Sequence, residues 1–207
     1  MEAVFLTLVL IISVIAHEVA HGYAASALGD PTARLAGRLT LNPLPHIDPI
    51  GSIIIPALLV FANASVLFGW AKPVPYNPHN LKHHRWGEAI VAVAGSGVNL
   101  LLAVLFALVA RLTADIAPAA SELAALIVFV NLFLGLLNLI PLPPLDGYTV
   151  LRSIVPFSVA RALQDLEMRV RALGAIGLFV TLLIFIFVLA SPFYAFVSWL
   201  FGLLVGA

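Results

Sequence analysis

Long apolar runs separated by short, polar, proline-rich connections dominate the chain. Four runs are long enough to cross the ~30 Å hydrocarbon layer as helices: Ala3–Leu28, Glu88–Leu112, Leu123–Ile140 and Leu173–Ala190. A fifth, Phe193–Val205, is marginally long and follows Ser191-Pro192, a pair expected to break the helix ahead of it. The run Ile50–Trp70 is ambiguous, because Pro56 and Asn63 interrupt it. Between the runs, Gly29–Pro49 carries a short strand-like piece at Arg34–Leu41, and Ala71–Gly87 is polar and proline-rich. Thr149–Arg171 alternates apolar and charged residues, as an amphipathic surface helix does. The expectation is an all-α polytopic membrane protein with about five to six transmembrane or re-entrant helices and a short membrane-associated β segment after the first. It reads as one integral membrane domain over 1–207, with a core at 3–148 and a C-terminal amphipathic helix and helical hairpin at 149–207.

Composition sharpens this picture. Of 207 residues, 62% are hydrophobic and 10% charged, with a mean hydropathy of +1.11; a soluble domain is roughly 45–50% apolar and about 25% charged. The net charge is zero and no basic arm is present, so nucleic acid is not an expected partner. There is no cysteine, which excludes disulfides and thiolate ligands. The first run lacks a basic start and carries candidate chemistry, so it reads as a retained helix rather than a signal peptide.

Charge placement bears on the ambiguous run. If Ile50–Trp70 crosses, Lys72, Lys82, Arg85, Arg152, Arg161, Arg169 and Arg171 face one side, and Arg34, Arg38 and Arg111 the other. If it dips in and returns, Arg34 and Arg38 join the larger group, which is the distribution the positive-inside tendency favours. On that reading the N-terminus lies outside and the basic loops lie in the cytoplasm.

The candidate chemistry lies within the first run, at His17-Glu18-Val19-Ala20-His21. Histidines four apart share one helix face, so both imidazoles can hold one metal ion, and the glutamate between them can take a proton from water. Ionisable side chains at membrane depth are costly without a partner or a function. His17 lies about ten residues from the end of its run, roughly 15 Å deep at 1.5 Å per residue. A third ligand is available at Asp146, in Asn138-Leu139-Ile140-Pro141-Leu142-Pro143-Pro144-Leu145-Asp146-Gly147, where the prolines must end the third long span. Two histidines and a carboxylate leave a fourth position open, as catalytic zinc sites do. The alternative makes Asp146 a turn or capping residue after the prolines.

These motifs closely resemble the site-2 protease family of intramembrane zinc metalloproteases, most of all its compact prokaryotic members without an appended PDZ or CBS domain. The resemblance is carried by His17–Gly22, Asn42–Gly51, Phe68–Pro75, Ala94–Asn99 and the stretch ending Leu145-Asp146-Gly147. It implies that His17, His21 and Asp146 bind one Zn2+ per chain and that Glu18 is the catalytic base. It also implies a three-helix core in which the helix of Glu88–Leu112 starts on the side where the first ends. Ser96 departs from the pattern, since the family usually has proline there. The implied reaction is hydrolysis of peptide bonds in or near transmembrane segments of membrane-protein substrates, in regulated intramembrane proteolysis at a prokaryotic cell membrane, with the site opening toward the cytoplasm.

Other residues carry weaker signals. Asn99 and Asn138 are candidate substrate-binding residues, as donors to a substrate backbone or developing oxyanion, or else simple interhelical hydrogen-bonding groups. The strand-like Arg34–Leu41 could pair with an unwound substrate. His46 with Asp48 reads as a loop pair, with an extra metal ligand or gate as the alternative; His79, His83 and His84 suit a headgroup region, and Trp70, Trp86 and Trp199 suit interfacial anchors. A metal-ion transporter or channel would place ligands along several spans, yet those after Glu88 offer little beyond Asn99, Asn131 and Asn138. A catalytically silent membrane-protein binder would lack Glu18 or a ligand. Substrate identity and oligomeric state are not written in these patterns.

Overall fold

The apolar runs do fold as helices. The computed structural model describes residues 2–61 and 70–206, and its helices are α1 Glu2–Ala27, α2 Thr32–Leu35, α3 Ile55–Phe61, α4 His84–Thr113, α5 Pro118–Asn138, α6 Asp146–Ile154, α7 Phe157–Ala172, α8 Ala175–Ile184 and α9 Ala190–Val205. Among the described residues, four stretches are long and apolar enough to cross a membrane: Val4–Ala27, Trp86–Thr113, Pro118–Asn138 and Ile176–Val205. Their lipid-facing residues, such as Leu8, Ile12, Leu101 and Phe187, are exposed on the protein surface, as a membrane solvent permits.

α4 is the central element, packed against α1 on one side and α5 on the other. Close approach is built from small residues: Ala103, Ala107 and Ala110 recur on the buried face of α4. At Gly135 of α5, an added Cβ would lie 3.1 Å from the Ser96 carbonyl oxygen. Ala103, Ala107, Val128, Leu132 and Val197 form the core where α9 joins this pair. Arg111, near the end of α4, donates to the carbonyls of Leu203 and Leu204 and so caps the end of α9. Ser96 sits inside the unbroken helix α4, fully buried.

Three expectations are corrected. Among the described residues there is no strand, so the β segment at Arg34–Leu41 is absent. The chain there makes the short turn of α2, reverses at Gly37 with φ +65°, and returns the Arg38 N–H to the Ala33 carbonyl. Local turn bonds thus satisfy the backbone that a ladder would have used. The break at Ser191-Pro192 does not occur: α8 continues into α9 through a π-helical stretch, Phe185–Leu189. Proline crowds the carbonyl four residues before it, and the wider π turn lies at that position. The amphipathic segment Thr149–Arg171 is two helices, α6 and α7, because Pro156 ends the first and begins the second.

The ambiguous run is described at its ends only; Asn63 lies outside the described residues. Those ends meet. The Trp70 N–H donates to the Gly51 carbonyl at 3.2 Å, and Ser52 Oγ donates to the Trp70 carbonyl at 2.8 Å. Residues 51 and 70 therefore stand at one level, not at opposite faces of a 30 Å layer.

Candidate metal centre

His17 and His21 are buried on the face of α1 that meets α4, with Asp146 of α6 beside them. Their Nε2 atoms lie 3.0 Å apart, and each faces Oδ2 of Asp146, at 3.1 Å from His17 and 3.3 Å from His21. All three ligand atoms fall within 4.8 Å of one another. α4 makes room for them with a glycine: a Cβ on Gly95 would lie 2.5 Å from His21 Nε2 and 2.8 Å from His17 Cε1.

Asp146 arrives through the proline loop. α5 ends at Asn138, Pro141, Pro143 and Pro144 forbid its continuation, and α6 starts on Asp146 itself. Gly147 must be glycine, since a Cβ would stand 2.1 Å from the Leu139 carbonyl oxygen. Farther along α6, Arg152 pairs with Glu88 of α4 and lies 3.8 Å from Glu167 of α7, anchoring the helix that presents the carboxylate.

Hydrogen bonds behind the imidazoles fix their tautomers. His21 Nδ1 lies 2.7 Å from the Val91 carbonyl oxygen, which can only accept, so this nitrogen carries the proton. His17 Nδ1 lies 2.7 Å from Asn99 Oδ1 and donates likewise. Both Nε2 atoms then present lone pairs to each other and to Asp146 Oδ2, a buried oxygen without a hydrogen-bond partner. Three converging acceptors repel one another unless a cation joins them. A tetrahedral zinc with bonds of about 2.0–2.1 Å holds its ligand atoms about 3.3 Å apart, close to the observed spacing. The donor set fits zinc.

Glu18 lies on the next position of α1, and its Oε2 accepts the Val74 backbone N–H at 2.8 Å. Val74 belongs to the extended segment 70–77, which is tied down at both ends. The Lys72 N–H donates to the His46 carbonyl, and Arg38 Nη2 donates to the Lys72 carbonyl at 2.6 Å. At the other end, Asp30 accepts from the Asn77 N–H at 2.6 Å and from Asn80 Nδ2 at 2.8 Å. Val74 also fills the space beside Gly22, where a Cβ would meet it at 2.9 Å.

The structure thus brings His17, His21 and Asp146 together, with Glu18 adjoining. Asn99 joins them through His17, and each of its amide atoms is engaged within the protein. Asn138 donates to Leu134 of its own helix. His46 is buried in its loop, with Nε2 donating to the Thr40 carbonyl, and Asp48 caps the following helical turn through the Ile50 and Gly51 N–H groups. Val91 lies outside the motifs, and Val74 lies within the patch Phe68–Pro75 without a role assigned to it. Both act through backbone atoms that carry no side-chain signature.

Buried imidazoles and a carboxylate converge between membrane-length helices in a group that could hold a metal ion. The model of peptidase family M50 matches residues 111–185, the part that contains Asp146. The "Putative zinc metalloprotease YwhC" of Bacillus subtilis (strain 168) is 36% identical over 203 residues, covering 94% of this chain and 84% of that protein. The "Putative zinc metalloprotease Rip2" of Mycobacterium tuberculosis (strain ATCC 25618 / H37Rv) is 32% identical over an alignment of 161 residues that covers 74% of this chain. The matched region spans 58% of that longer relative. No solved structure matches. The chain belongs to peptidase family M50, the site-2 protease family, and is an integral membrane zinc metalloprotease.

Proposed function

We propose that His17, His21 and Asp146 hold one zinc ion and that Glu18 is the general base in hydrolysing peptide bonds in or near transmembrane segments of membrane-protein substrates. The observation that carries this reading is the convergence of three lone-pair atoms at 3.0–3.3 Å beside Glu18. Zinc supplies Lewis acidity there, acidifying water and polarising a carbonyl. Glu18, steered by the Val74 N–H, accepts the proton of the attacking water on its carboxylate and returns it to the departing amine. His17, His21 and Asp146 keep their positions throughout. A substrate helix hides its carbonyls in its own hydrogen bonds, so it must unwind locally, and substrates with Gly, Pro, Ser or Asn near the cut are expected. Asn138, at the end of α5, is proposed to offer a donor to the unwound backbone.

The orientation follows from charge. The bond from the Lys82 N–H to the Leu28 carbonyl joins the end of α1 to the segment before α4, and the ends of Ile50–Trp70 bond to each other, which supports a re-entrant arrangement of that run. Every Lys and Arg but Arg111 is then on one side, proposed as the cytoplasmic side of a prokaryotic cell membrane. The domain is proposed to run over 1–207, with the catalytic core at 3–148.

The test compares wild type with Glu18→Gln in detergent against a panel of helix-destabilised transmembrane substrates. Cleavage by wild type alone, abolished by chelation and restored by zinc, supports the reading. Equal cleavage by both removes Glu18 from the mechanism.

A further inference from the structure

We propose that Asn99, held by Asn131 and Ser13, is a positioning residue that keeps His17 in its Nδ1–H tautomer and aims Nε2 at the metal. The inference rests on His17 being a zinc ligand, and it concerns a polar network that crosses three apolar helices. Asn99 Oδ1 faces His17 Nδ1 at 2.7 Å; Asn99 Nδ2 donates to the Ser13 carbonyl at 3.2 Å and to Asn131 Oδ1 at 2.8 Å. Asn131 Nδ2 donates in turn to Ser13 Oγ and to the Ile127 carbonyl, each at 3.0 Å. Asn99, Asn131 and Ser13 are all buried, both asparagines completely.

The direction of this network is forced. A backbone carbonyl accepts and never donates, so Ser13 and Ile127 settle which end of each amide is nitrogen. Asn131 must then turn Oδ1 toward Asn99, and Asn99 must turn Oδ1 toward His17. An acceptor at that place requires a proton on His17 Nδ1 and leaves the Nε2 lone pair facing Asp146 and His21. His21 reaches the same tautomer by a different device, the Val91 carbonyl. A flipped Asn99, fully buried, would set its N–H2 against His17 Nδ1 and its oxygen against two other oxygens. The network therefore excludes the wrong tautomer instead of merely filling space between helices.

The test measures zinc affinity of the purified full chain by competition with a chromophoric chelator. Histidine tautomers are read in parallel from long-range proton–nitrogen spectra of 15N-histidine-labelled protein, and melting temperature checks the fold. Asn99→Leu, which removes the acceptor, is expected to weaken zinc binding by about 10- to 100-fold. It is also expected to free His17 to sample its Nε2–H tautomer when zinc is absent. Asn99→Asp keeps an acceptor toward His17 but sets its second oxygen against the Ser13 carbonyl and Asn131 Oδ1, so it is expected to recover only part of that affinity. Asn131→Leu, one bond farther away, should weaken binding in the same direction by less.

Unchanged affinity in a folded Asn99→Leu protein overturns the proposal. Equal losses in the Leu and Asp variants overturn it as well, because a purely structural role would show that pattern. If Asn99→Leu does not fold, Asn131→Leu decides by the same two readouts: weaker binding with His17 shifted in tautomer supports the proposal, and neither change overturns it. His17→Ala separates the two levels. Its loss of zinc, beside wild-type affinity in the folded Asn99 variant, leaves the ligand assignment standing and removes only Asn99; retained zinc removes the ligand assignment itself.

Discussion

Val74 donates its backbone N–H to Oε2 of Glu18 at 2.8 Å, so the proposed base is steered by a segment outside its own helix. Proline on either side of Val74 leaves this N–H as the lone donor of the Pro73-Val74-Pro75 triplet and holds the segment extended. Val74→Pro deletes that donor in a segment whose conformation suits proline. A hydrogen bond to a charged group contributes about 1.5–3 kcal/mol, so catalysis should fall about 10-fold or more. Val74→Ala keeps the N–H and should lose far less. Steady-state cleavage of one transmembrane substrate by both variants, with zinc content unchanged, is the measurement.

Gly95 is the wall against which His17 and His21, the proposed ligands, pack. A methyl group at this position would sit 2.5 Å from His21 Nε2, and α4 is too tightly packed against α1 to retreat. Gly95→Ala should therefore displace an imidazole and weaken zinc binding by about tenfold or more, the range seen when ligand orientation is disturbed. Gly97, two residues on, has open space around its Cα, so Gly97→Ala is the matched control and should bind zinc normally.

Asp30 links the end of α1 to the segment that carries Val74. Burial acts to raise its carboxyl, but hydrogen bonds from Thr32, Asn80 and Asn77 outweigh this and hold it below the usual carboxylate range. The fold prefers the ionised form. Its contribution is complete above the unfolded value of about 3.9 and fades as pH falls through the lower folded value. Wild type should lose melting temperature on acidification below pH 4 more steeply than Asp30→Asn, which should already be less stable at pH 6. Parallel melting curves for the two proteins would sink this account.

The orientation can be read with single cysteines, since the chain has none of its own. Ser158 on α7 and Ala114 at the α4–α5 turn are both exposed. In intact cells an impermeant thiol reagent should modify Ala114→Cys and spare Ser158→Cys until the membrane is opened. The reverse pattern would invert the proposed topology.

Sequence by itself determined the local features. Hydropathy marked the apolar runs because a bilayer demands about 20 apolar residues of any helix that crosses it. The four-residue spacing of His17 and His21 put both rings on one face because a helix turns every 3.6 residues. Proline after Asn138 announced that α5 must end near Asp146. Only the tertiary structure decided the rest. Asp146 meets the histidines because α4 and α6 dock beside α1, and a small residue, Gly95, lets them approach. Asn99 became a partner of His17 through the packing of α4 between α1 and α5, which no local period encodes. The strand-like alternation at Arg34–Leu41 yielded to a turn whose bonds are local, and Pro192 was absorbed by a π turn instead of ending its helix. In each case a local preference of about 1–3 kcal/mol was weighed against burial and hydrogen bonding that exist only once distant segments have packed.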